Sequence, residues 1–364
     1  MQLRIAYLCG TMGWGGLEMN QLRNASWMMN RGYFVQIYAQ ENSPLAKATI
    51  ENKIPLVEIK AHRNHYDFFR AWQLYQKLKF NEIEHLIIRA TFDQSIAATV
   101  AFLSKSKIKV HFFMEMDFGS PKKQFFRTWR YSFFTSWNCP LEYLKEQVLN
   151  NTNCNPIKIK VIPSGLDLTK LTRVEKNITR SELKLPLDKF IFGIVGRIDK
   201  KKGQLLAIEA MLKSTFIDFH LCIVGDPTYN ENDSYLIEIK NFIRINNLEN
   251  RVHLLPNQSD VSVVLSAFDW TILPSDSETF GMVTIESMAC GIPVLGSNSG
   301  GTIELIKNEK NGLLFETKNS SDLEKKMDLI VDGRIILDHQ EIVESVQKFD
   351  HHSVCEMVEK LLLS

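Results

Sequence analysis

The sequence lacks the marks of a membrane-spanning or disulfide-stapled protein. No segment of its 364 residues approaches the roughly 20 consecutive apolar residues that a transmembrane helix requires. The first apolar run is too short for the core of a signal peptide. The six cysteines are scattered, without a Cys-x-x-Cys pair or the histidine spacing of a zinc site. These absences favour a protein of a reducing, cytoplasmic compartment.

The sequence also has little net charge, although the charge is unevenly placed. Its 43 basic and 42 acidic residues give +1, which argues against a nucleic-acid partner bound along the whole chain. Residues 1–165 hold 21 basic and 12 acidic residues, a balance of +9, and residues 166–364 hold 22 and 30, a balance of −8. The length and this asymmetry indicate two domains with different partners.

Apolar strand patterns alternate with helical patterns in two successive series, which predicts the α/β class. The first series begins with "LRIAYLCG", a helix that ends at Gly32, and "YFVQIYAQ"; the second begins at "KFIFGIVGR". We expect two doubly wound, Rossmann-like parallel-sheet domains, at residues 1–163 and 164–346, joined near Pro163. A final amphipathic segment at about 347–364 can pack on either domain, including back on the first.

Parallel sheets bind ligands at the carboxyl ends of their strands, so the loops there are candidates for a site. In the first loop, Gly10, Gly13, Gly15 and Gly16 leave backbone amides bare before a helix, which suits either an anion or a plain tight turn. In a second loop, Arg197 and Lys200–Lys202 precede a helix. Cations at a helix start oppose its dipole, so this loop is either an anion site or a solvated basic turn.

A third loop, "PSDSETFGMVTIESMACGIPVLGS", places Glu278 before a helix and Glu286 about one turn inside it. The amides at the helix start can form an anion nest, and a carboxylate can accept two hydrogen bonds from the vicinal hydroxyls of a ribose or hexose. The alternative is that Ser277 or Thr279 caps the helix and Glu286 faces solvent.

Six motifs in order resemble one enzyme family: "GGLEMNQLRNASWMMNRGYFV", "VIPSGLD", "IVGRIDKKKGQLLAIEAM", "LCIVGD", "SETFGMVTIESMACGIPVLGSNSGGTIELI" and "NGLLF". The sequence resembles the retaining GT-B glycosyltransferases of family 4, the group 1 transferases, from residue 10 to about residue 315. The resemblance implies two domains facing across a cleft. It also implies metal-independent transfer of a hexose-type sugar from a nucleoside-diphosphate sugar, with a UDP-sugar as the default, and neither cofactor nor metal ion.

The resemblance also implies roles for individual residues. Arg197 and Lys202 would neutralise the diphosphate and, with Glu278 on the hydroxyls of the transferred sugar, form the catalytic set. Glu286 would hold the ribose. The remaining donor-binding positions contribute mainly backbone: Gly15 and Gly16 in the loop over the diphosphate, Leu255 and Pro256 at the base, and the amides of Phe280, Gly281 and Met282.

The acceptor side departs from the family pattern. Many relatives carry a histidine at a position that aligns here with Met116 or its neighbours Glu115 and Asp117, while His111 lies inside the strand and is expected to be packed there. Asp117, also a catalytic candidate, or Glu115 would orient the acceptor. Arg89 and Asp93, after the strand "HLII", are further acceptor-binding candidates, and a structural role remains open for all four.

Residues 120–137, "SPKKQFFRTWRYSFFTSW", interleave cations with aromatic residues. This composition is typical of a helix at a membrane interface, although the rings can equally be domain core with the cations at its wet edge. The positive balance of this half favours peripheral contact with the cytoplasmic face of the inner membrane.

Together these features predict a cytoplasmic glycosyltransferase acting on a glycan or lipid-linked acceptor in the synthesis of O-antigen, capsule or lipopolysaccharide. The alternatives are a nucleotide-sugar epimerase or a phosphorylase of the same fold, or a non-catalytic protein that binds a nucleotide. An epimerase would need its catalytic acids and a histidine in different places, and the sequence lacks the surroundings of a pyridoxal-binding lysine that a phosphorylase needs. A scaffold has little use for both cations and both glutamates.

Overall fold

The computed structural model describes residues 2–117, 119–227 and 234–364. The chain divides into two compact units. The first consists of residues up to Gly165 together with His351–Ser364, and the second of Leu166–Asp350. The first boundary therefore lies close to the joint predicted near Pro163, and the second lies a few residues after the predicted end at 346.

The first unit is built on seven parallel strands in the order β3-β2-β1-β4-β5-β6-β7. Their bounds are β1 Arg4–Cys9, β2 Phe34–Gln40, β3 Leu56–Ile59, β4 His85–Ile88, β5 Lys109–Phe113, β6 Ser136–Cys139 and β7 Ile159–Val161. Its helices are α1 Gly16–Asn30, α2 Pro44–Glu51, α3 Phe68–Phe80, α4 Gln94–Leu103, α5 Phe125–Ser132, α6 Glu142–Asn151 and α15 His351–Leu363.

Strand β1 lies at the centre of this sheet because its side chains are apolar on both faces. Ile5 pairs with Val35 of β2 on one side and with His85 of β4 on the other. The strand order therefore reverses beside β1, which brings the loops after β1, β4 and β5 to one edge of the sheet.

Helix α1 ends as the sequence predicts. Gly32 has a φ of 90°, in the left-handed region. Its amide donates to Met29 O at 2.9 Å, and the Tyr33 amide donates to Met28 O at 3.2 Å. This pair of bonds is a Schellman motif, and the missing side chain of Gly32 makes the positive φ inexpensive.

The second unit is built on six parallel strands in the order β10-β9-β8-β11-β12-β13. Their bounds are β8 Phe190–Val195, β9 Phe219–Val224, β10 Val252–Leu255, β11 Trp270–Leu273, β12 Val294–Ser297 and β13 Gly312–Phe315. Its helices are α7 Lys176–Glu182, α8 Gln204–Lys213, α9 Ser234–Ile245, α10 Val261–Ser266, α11 Met282–Ala289, α12 Thr302–Leu305, α13 Ser320–Val331 and α14 His339–Glu344.

The polar stretch that follows Pro163 is an integral part of the second unit. It contains α7, and Arg180 of that helix is buried. The Arg180 guanidinium donates to Ala267 O at 2.9 Å and to Asp269 Oδ2 at 2.7 Å. A buried arginine with these partners fixes the segment to the second unit. The segment is therefore not a loose linker, although it has few apolar residues.

The final amphipathic segment forms α15, and this helix packs on the first unit. Val354, Cys355, Val358, Leu361 and Leu362 are buried in the same cluster as β1 and β2. The sequence left open which domain this segment packs on, and its apolar stripe places it on the first unit.

Candidate active site

The loops after β8, β11 and β12 meet at the carboxyl edge of the second sheet. Gly203 has a φ of 71°, and a Cβ atom there would lie 2.2 Å from Pro274 O. A Cβ atom on Gly300, φ 58°, would lie 2.4 Å from Glu278 O. The Gly301 amide donates to that same oxygen at 2.7 Å. These close approaches hold the predicted donor-binding loops against one another.

Lys202 and Glu278, which come from different loops, form an ion pair at this edge. Lys202 Nζ lies 2.5 Å from Glu278 Oε1. The Ser275 hydroxyl donates to the same carboxylate oxygen at 2.9 Å. The side chains are 30% and 13% exposed, so both charges are held in place but remain within reach of a ligand. The structure thereby joins two predicted catalytic residues that are 76 positions apart in the sequence.

Arg197 is exposed two residues after the end of β8. Its carbonyl oxygen accepts a hydrogen bond of 2.8 Å from Gln204 Nε2, and Gln204 is fully buried. Within the described ranges, no hydrogen-bond or ion-pair partner is found for the Arg197 guanidinium. Its backbone is therefore fixed while its charge remains available, an arrangement suited to an anionic ligand.

The three lysines after Arg197 differ in their surroundings. Lys200–Lys202 form a single 3-10 turn before Gly203. Lys200 pairs with Glu238 at 3.0 Å, and both side chains are largely exposed. Lys202 is half-buried against Glu278. Of this basic run, Lys200 therefore forms a surface ion pair, while Lys202 contributes its charge to the candidate site.

Helix α11 begins after Gly281, as expected. Gly281 is the N-cap residue with φ 75° and ψ 54°, and no side chain caps the helix. The alternative that Ser277 or Thr279 caps it is thereby not realised. The first amides of α11, including that of Met282, are left for a ligand or water, as an anion nest requires.

The side chains around the start of α11 have different roles. Phe280 is buried and packs edge-on against Phe349 at 5.6 Å, so only its backbone is available to a ligand. Glu286 is half-buried within the helix, rather than fully solvated. Burial raises the pKa of the nearby Cys290 thiol to about 12, and the Glu286 carboxylate adds to this effect. Cys290 is therefore an inert thiol beside the Glu286 charge.

The predicted base-binding residues follow the end of β10. Leu255 is half-buried and Pro256 is exposed. Leu255 O accepts a hydrogen bond of 3.0 Å from the Gly225 amide, and Pro256 O accepts one of 3.0 Å from Gln258 Nε2. A base that donates a hydrogen bond to Leu255 O or Pro256 O would bind an oxygen that already accepts one hydrogen bond.

In the first unit, the glycine loop before α1 is closed by an acid of its own helix. Gly15 is the N-cap of α1, and its amide donates to Glu18 Oε2 at 3.0 Å. The Thr11 hydroxyl donates to Glu18 Oε1 at 2.7 Å. The Gly15 amide is thus already satisfied by a carboxylate, whereas a Cβ atom on Gly16 would meet nothing within 4 Å. Gly16 is therefore the more open of the two predicted positions.

Two of the predicted acceptor-binding residues pair with each other instead. Arg89 Nη1 contacts Glu115 Oε1, and the two side chains are 5% and 8% exposed. Asn20 Nδ2 donates to Glu115 Oε2 at 3.1 Å, and the Ser164 hydroxyl bonds to the same carboxylate at 3.3 Å. This buried network ties α1, β4, β5 and the end of the first unit together, so the structure favours a structural role for Arg89 and Glu115.

Asp93 is also buried and structural in its contacts. Its carboxylate accepts hydrogen bonds from the Gly10 amide at 3.1 Å and lies 2.9 Å from His62 Nε2. Burial raises the pKa of Asp93. Burial alone lowers the pKa of His62, but the hydrogen bond and charge of Asp93 outweigh it and raise that pKa. Because the Asp93 carboxylate is fully buried, its contacts favour the structural role that the sequence left open.

Asp117 differs from the other three acceptor candidates because it is exposed. It lines a cavity of about 170 Å³ beyond the carboxyl ends of β4 and β5, together with Met116. His111 is fully buried in β5, as expected, and bonds to Ser136 Oγ at 2.9 Å.

Residues 120–137 do not form one interfacial helix. Helix α5 covers only Phe125–Ser132, and Ser136–Cys139 is strand β6. Tyr131, Phe134 and Trp137 are core residues, while Phe125, Phe126 and Trp129 are exposed. The rings of this segment are thus divided between the core of the first unit and its surface. None of the helices in the described part of the chain is long and apolar enough to cross a bilayer.

Residues 175–348 match the family model described as Glycosyl transferases group 1. The second unit matches the group 1 glycosyl transferases. Arg197, Lys202, Glu278 and Glu286 all lie within the matched range. The first unit, with the acceptor candidates, lies outside it.

Curated relatives cover the same part of the chain. The Escherichia coli UDP-Gal:alpha-D-GlcNAc-diphosphoundecaprenol alpha-1,3-galactosyltransferase is 30% identical over 201 residues, which are 53% of this chain and 50% of that protein. The Mycobacteroides abscessus D-inositol 3-phosphate glycosyltransferase is 30% identical over 179 residues, 49% of this chain and 40% of that protein. The aligned part of this chain thus spans half or less of the length of these two relatives.

Solved structures are similar over the whole chain. Anabaena HepE in complex with UDP and glucose has a TM-score of 0.82 and 19% identity, with 100% of both chains covered. The Rickettsia africae glycosyltransferase has a TM-score of 0.86 and 18% identity, with 99% of this chain and 98% of that chain covered. The fold is therefore that of the GT-B glycosyltransferases, and the predicted pair of Rossmann-like domains is confirmed.

Sequence patterns missed several residues of this candidate site. Gln204 and Ser275 position Arg197 and Glu278, and nothing in their local sequence marks them. The hydroxyl of Thr284, inside α11, is buried without a hydrogen-bond partner among the described residues. The pair Gly300 and Gly301, three residues after the end of β12, is a sequence signal for a close approach of two backbone segments.

Proposed function

We propose that the protein is a family 4 glycosyltransferase that moves a hexose-type sugar from a nucleoside-diphosphate sugar to a hydroxyl group of an acceptor. The observation that carries this proposal is the Lys202–Glu278 pair beside Arg197 at the carboxyl edge of the second sheet. It lies within the range that matches the group 1 family. A UDP-sugar is the default donor, and UDP is bound in the similar HepE structure.

Donor binding would use both charges of the pair. The diphosphate would take the Lys202 ammonium and the Arg197 guanidinium, with the amides at the start of α11 as further donors. Glu278, relieved of Lys202, would accept hydrogen bonds from the hydroxyls of the transferred sugar. Glu286 would hold the ribose diol, and Leu255 and Pro256 would lie beside the base.

The chemistry requires the bond between the anomeric carbon and the diphosphate to break while a bond from that carbon to the acceptor oxygen forms. The acceptor hydroxyl loses its proton, which passes to an oxygen of the leaving diphosphate. Attack on the same face as departure would retain the anomeric configuration. Fixed positive charge from Arg197 and Lys202 stabilises the diphosphate as it leaves, without requiring a metal ion.

The contacts of Glu278 argue against a hydrolase-type acid and base pair. Its carboxylate is ion-paired with Lys202 and accepts a hydrogen bond from Ser275, contacts suited to a group that binds hydroxyls. A glycosidase instead places two carboxyl groups on either side of the scissile bond.

The acceptor would be a glycan or a lipid-linked sugar in the synthesis of O-antigen, capsule or lipopolysaccharide. The E. coli relative is named for a diphosphoundecaprenol-linked acceptor, which supports a lipid-linked one here. Asp117, the exposed acid at the end of β5, would orient the acceptor hydroxyl.

The protein would act in the cytoplasm, in peripheral contact with the inner membrane. Support comes from the exposed rings of Phe125, Phe126 and Trp129 on α5, which stand among the cations of residues 120–137. Aromatic rings with basic residues are typical of interfacial contact with anionic lipid.

The proposed donor site is tested by ligand binding followed by turnover. A panel of nucleotide sugars is screened by thermal shift, because a ligand that binds only the folded protein raises its melting temperature. Release of nucleotide from the best donor is then measured in variants. We expect Arg197→Ala to lower release by about 100-fold or more, since it removes charge stabilisation from the leaving group. Glu286→Ala should chiefly weaken nucleotide binding, and Glu278→Ala should chiefly lower turnover.

The matched control is Lys200→Ala. It removes a lysine from the same turn, but one that pairs with the surface residue Glu238, so binding and turnover should stay close to wild type. Equal, small effects of Glu278→Ala and Glu286→Ala would contradict the assigned roles. Binding of nucleotide sugar with no turnover for any acceptor would point to a non-catalytic binding protein, and isomerised donor would point to an epimerase.

A further inference from the structure

A cavity of about 170 Å³ lies within the first unit, beyond the carboxyl ends of β4 and β5. Its apolar lining includes the buried rings of Phe112, Tyr131 and Trp137, and its polar lining includes Thr91 and Gln94. The volume is well above the roughly 10–15 Å³ that admits one water molecule, so several polar ligand atoms fit. The carboxyl edge of a parallel sheet is also where ligands bind in this class of fold.

Cations dominate the charged lining of this cavity. Lys122, Arg127 and Arg130 all line it and are half-buried, and Asp117 is the single carboxylate among its lining residues. Arg130 Nη1 donates to Ser95 Oγ at 2.8 Å, and Arg130 Nε is buried without a hydrogen-bond partner in the described part of the chain. Burial, with the charges of Arg127 and Arg130, lowers the pKa of Lys122.

This excess of positive charge in the lining favours the binding of an anion. Three cations against one carboxylate repel one another most strongly where water is partly excluded. The surplus of two positive charges matches a phosphate or diphosphate. The arginines supply planar donor forks and the lysine a mobile point charge, the usual ligands of such groups.

An apolar groove of about 290 Å³ adjoins this cavity and shares His65, Arg127 and Arg130 with it. Its walls carry the aromatic side chains of Tyr66, Phe68, Phe126 and Trp129, which are between 44% and 66% exposed. Tyr66 and Phe126 meet edge-on at 6.4 Å, although they come from separate segments. Rings exposed on both sides of a groove are suited to an apolar chain.

We propose that the cavity and the groove together bind the phosphate end of a lipid-linked acceptor, with the phosphate or diphosphate on Lys122, Arg127 and Arg130 and the first part of its apolar chain along the aromatic groove. This inference rests on the proposed glycosyltransferase function and assigns the acceptor site. A neutral soluble glycan carries no anionic group for the three cations to bind. A flat membrane surface has no use for a recessed cluster of cations with a buried guanidinium nitrogen.

The experiment uses the full chain and geranylgeranyl diphosphate as the probe, below its micelle concentration. Binding is measured by calorimetry beside three comparisons: inorganic diphosphate, geranylgeraniol without phosphate, and vesicles of phosphatidylglycerol and phosphatidylcholine. We expect the lipid diphosphate to bind more tightly than either of its parts. Arg127→Gln and Lys122→Gln should each weaken it by about tenfold or more, the effect of losing a hydrogen bond to a charged group.

Lys123→Gln is the matched control. Lys123 is the exposed neighbour of Lys122, carries the same charge and does not line the cavity, so its replacement should leave binding unchanged. Trp129→Ala should weaken binding of the lipid diphosphate but not of inorganic diphosphate. Unchanged melting temperatures show that the variants are folded.

Two outcomes would overturn the inference. One is binding of the lipid diphosphate that is insensitive to both Arg127→Gln and Lys122→Gln. The other is vesicle binding that falls equally in Lys122→Gln and Lys123→Gln without any binding of the probe, which would make this surface a membrane contact only. The donor site is tested separately, because the thermal shift with nucleotide sugar is measured on the same proteins. If nucleotide sugar causes no thermal shift in the wild type, the proposed function is contradicted instead.

Discussion

Burial separates the charged residues of the first unit into those that hold the fold together and those that are accessible to a ligand. Arg89 and Glu115 satisfy each other, and Asp93 is held by His62 and by the Gly10 amide. Removing one partner of such a group leaves an uncompensated buried charge, which is costly. The sequence placed these residues after the right strands, but their loop positions carried no information on burial.

Two buried histidines make the stability of the first unit depend on pH. His85 Nδ1 lies 3.0 Å from His111 Nε2. Burial lowers the pKa of His85 to about 4 and, together with the charge of His85, that of His111 to about 3. In the unfolded chain both would titrate near pH 6.5. The unfolded state therefore binds more protons below about pH 6.5, and stability falls as the pH is lowered towards 4.

We predict that His111→Gln makes this dependence shallower. Each histidine contributes a slope of about 1.4 kcal/mol per pH unit in that window, so the stability gap between wild type and variant should narrow as the pH falls from 7 to 5. Urea unfolding of the first unit at several pH values measures it. Replacement of the exposed His65 by Gln is the control and should leave the slope unchanged. If the free energy of unfolding changes with pH equally in the wild type and in His111→Gln, His111 does not cause the pH dependence.

At the scale of elements, the sequence predicts helix ends and buried strands better than it predicts short helices and irregular segments. The Schellman end of α1 and the glycine start of α11 were predictable, because each requires a left-handed residue at one position. The aromatic segment 120–137 was not, since α5 stops at Ser132 to let the chain enter β6. Helix α10, between β10 and β11, was also missed.

The loop after β12 gives a test of how loops position the donor site. Gly300 has a φ of 58°, and a Cβ atom there would lie 2.4 Å from Glu278 O and 2.9 Å from Glu278 N. We predict that Gly300→Ala displaces Glu278 and lowers turnover sharply. It should also cost about 1–2 kcal/mol or more of stability from the left-handed backbone. Turnover and urea unfolding are the measurements.

Gly333→Ala is the control for backbone strain alone. Gly333 has a φ of 71°, but a Cβ atom there would meet nothing within 4 Å. It should lose a similar amount of stability from strain and keep its turnover. Equal turnover in the two variants would show that the Gly300 contact does not position the site.

At the scale of the whole molecule, the C-terminal helix belongs to the unit that begins the chain. Leu362 of α15 is 1% exposed in the core of the first unit, and its neighbour Leu363 is 69% exposed. We predict that Leu362→Ala costs about 2–5 kcal/mol, the range for a buried leucine. Leu363→Ala should change stability by no more than about 0.5 kcal/mol.

Calorimetry distinguishes the units in this test. The transition that moves in Leu362→Ala should be that of the first unit, while the transition that a bound nucleotide sugar raises should be that of the second. A Leu362→Ala variant whose nucleotide-stabilised transition falls instead would place α15 on the second unit in solution.

The sequence by itself determined the repeated strand and helix series, the carboxyl edge as the place of the site, and the acids and cations of the second unit. Each of these depends on residues close together along the chain. Only the tertiary structure decided that Lys202 pairs with Glu278, that Asp93 is buried, and which aromatic rings of 120–137 face solvent. The physical reason is that burial and pairing are set by partners far apart in the sequence, such as Gly10 and Asp93, which the fold alone brings into contact.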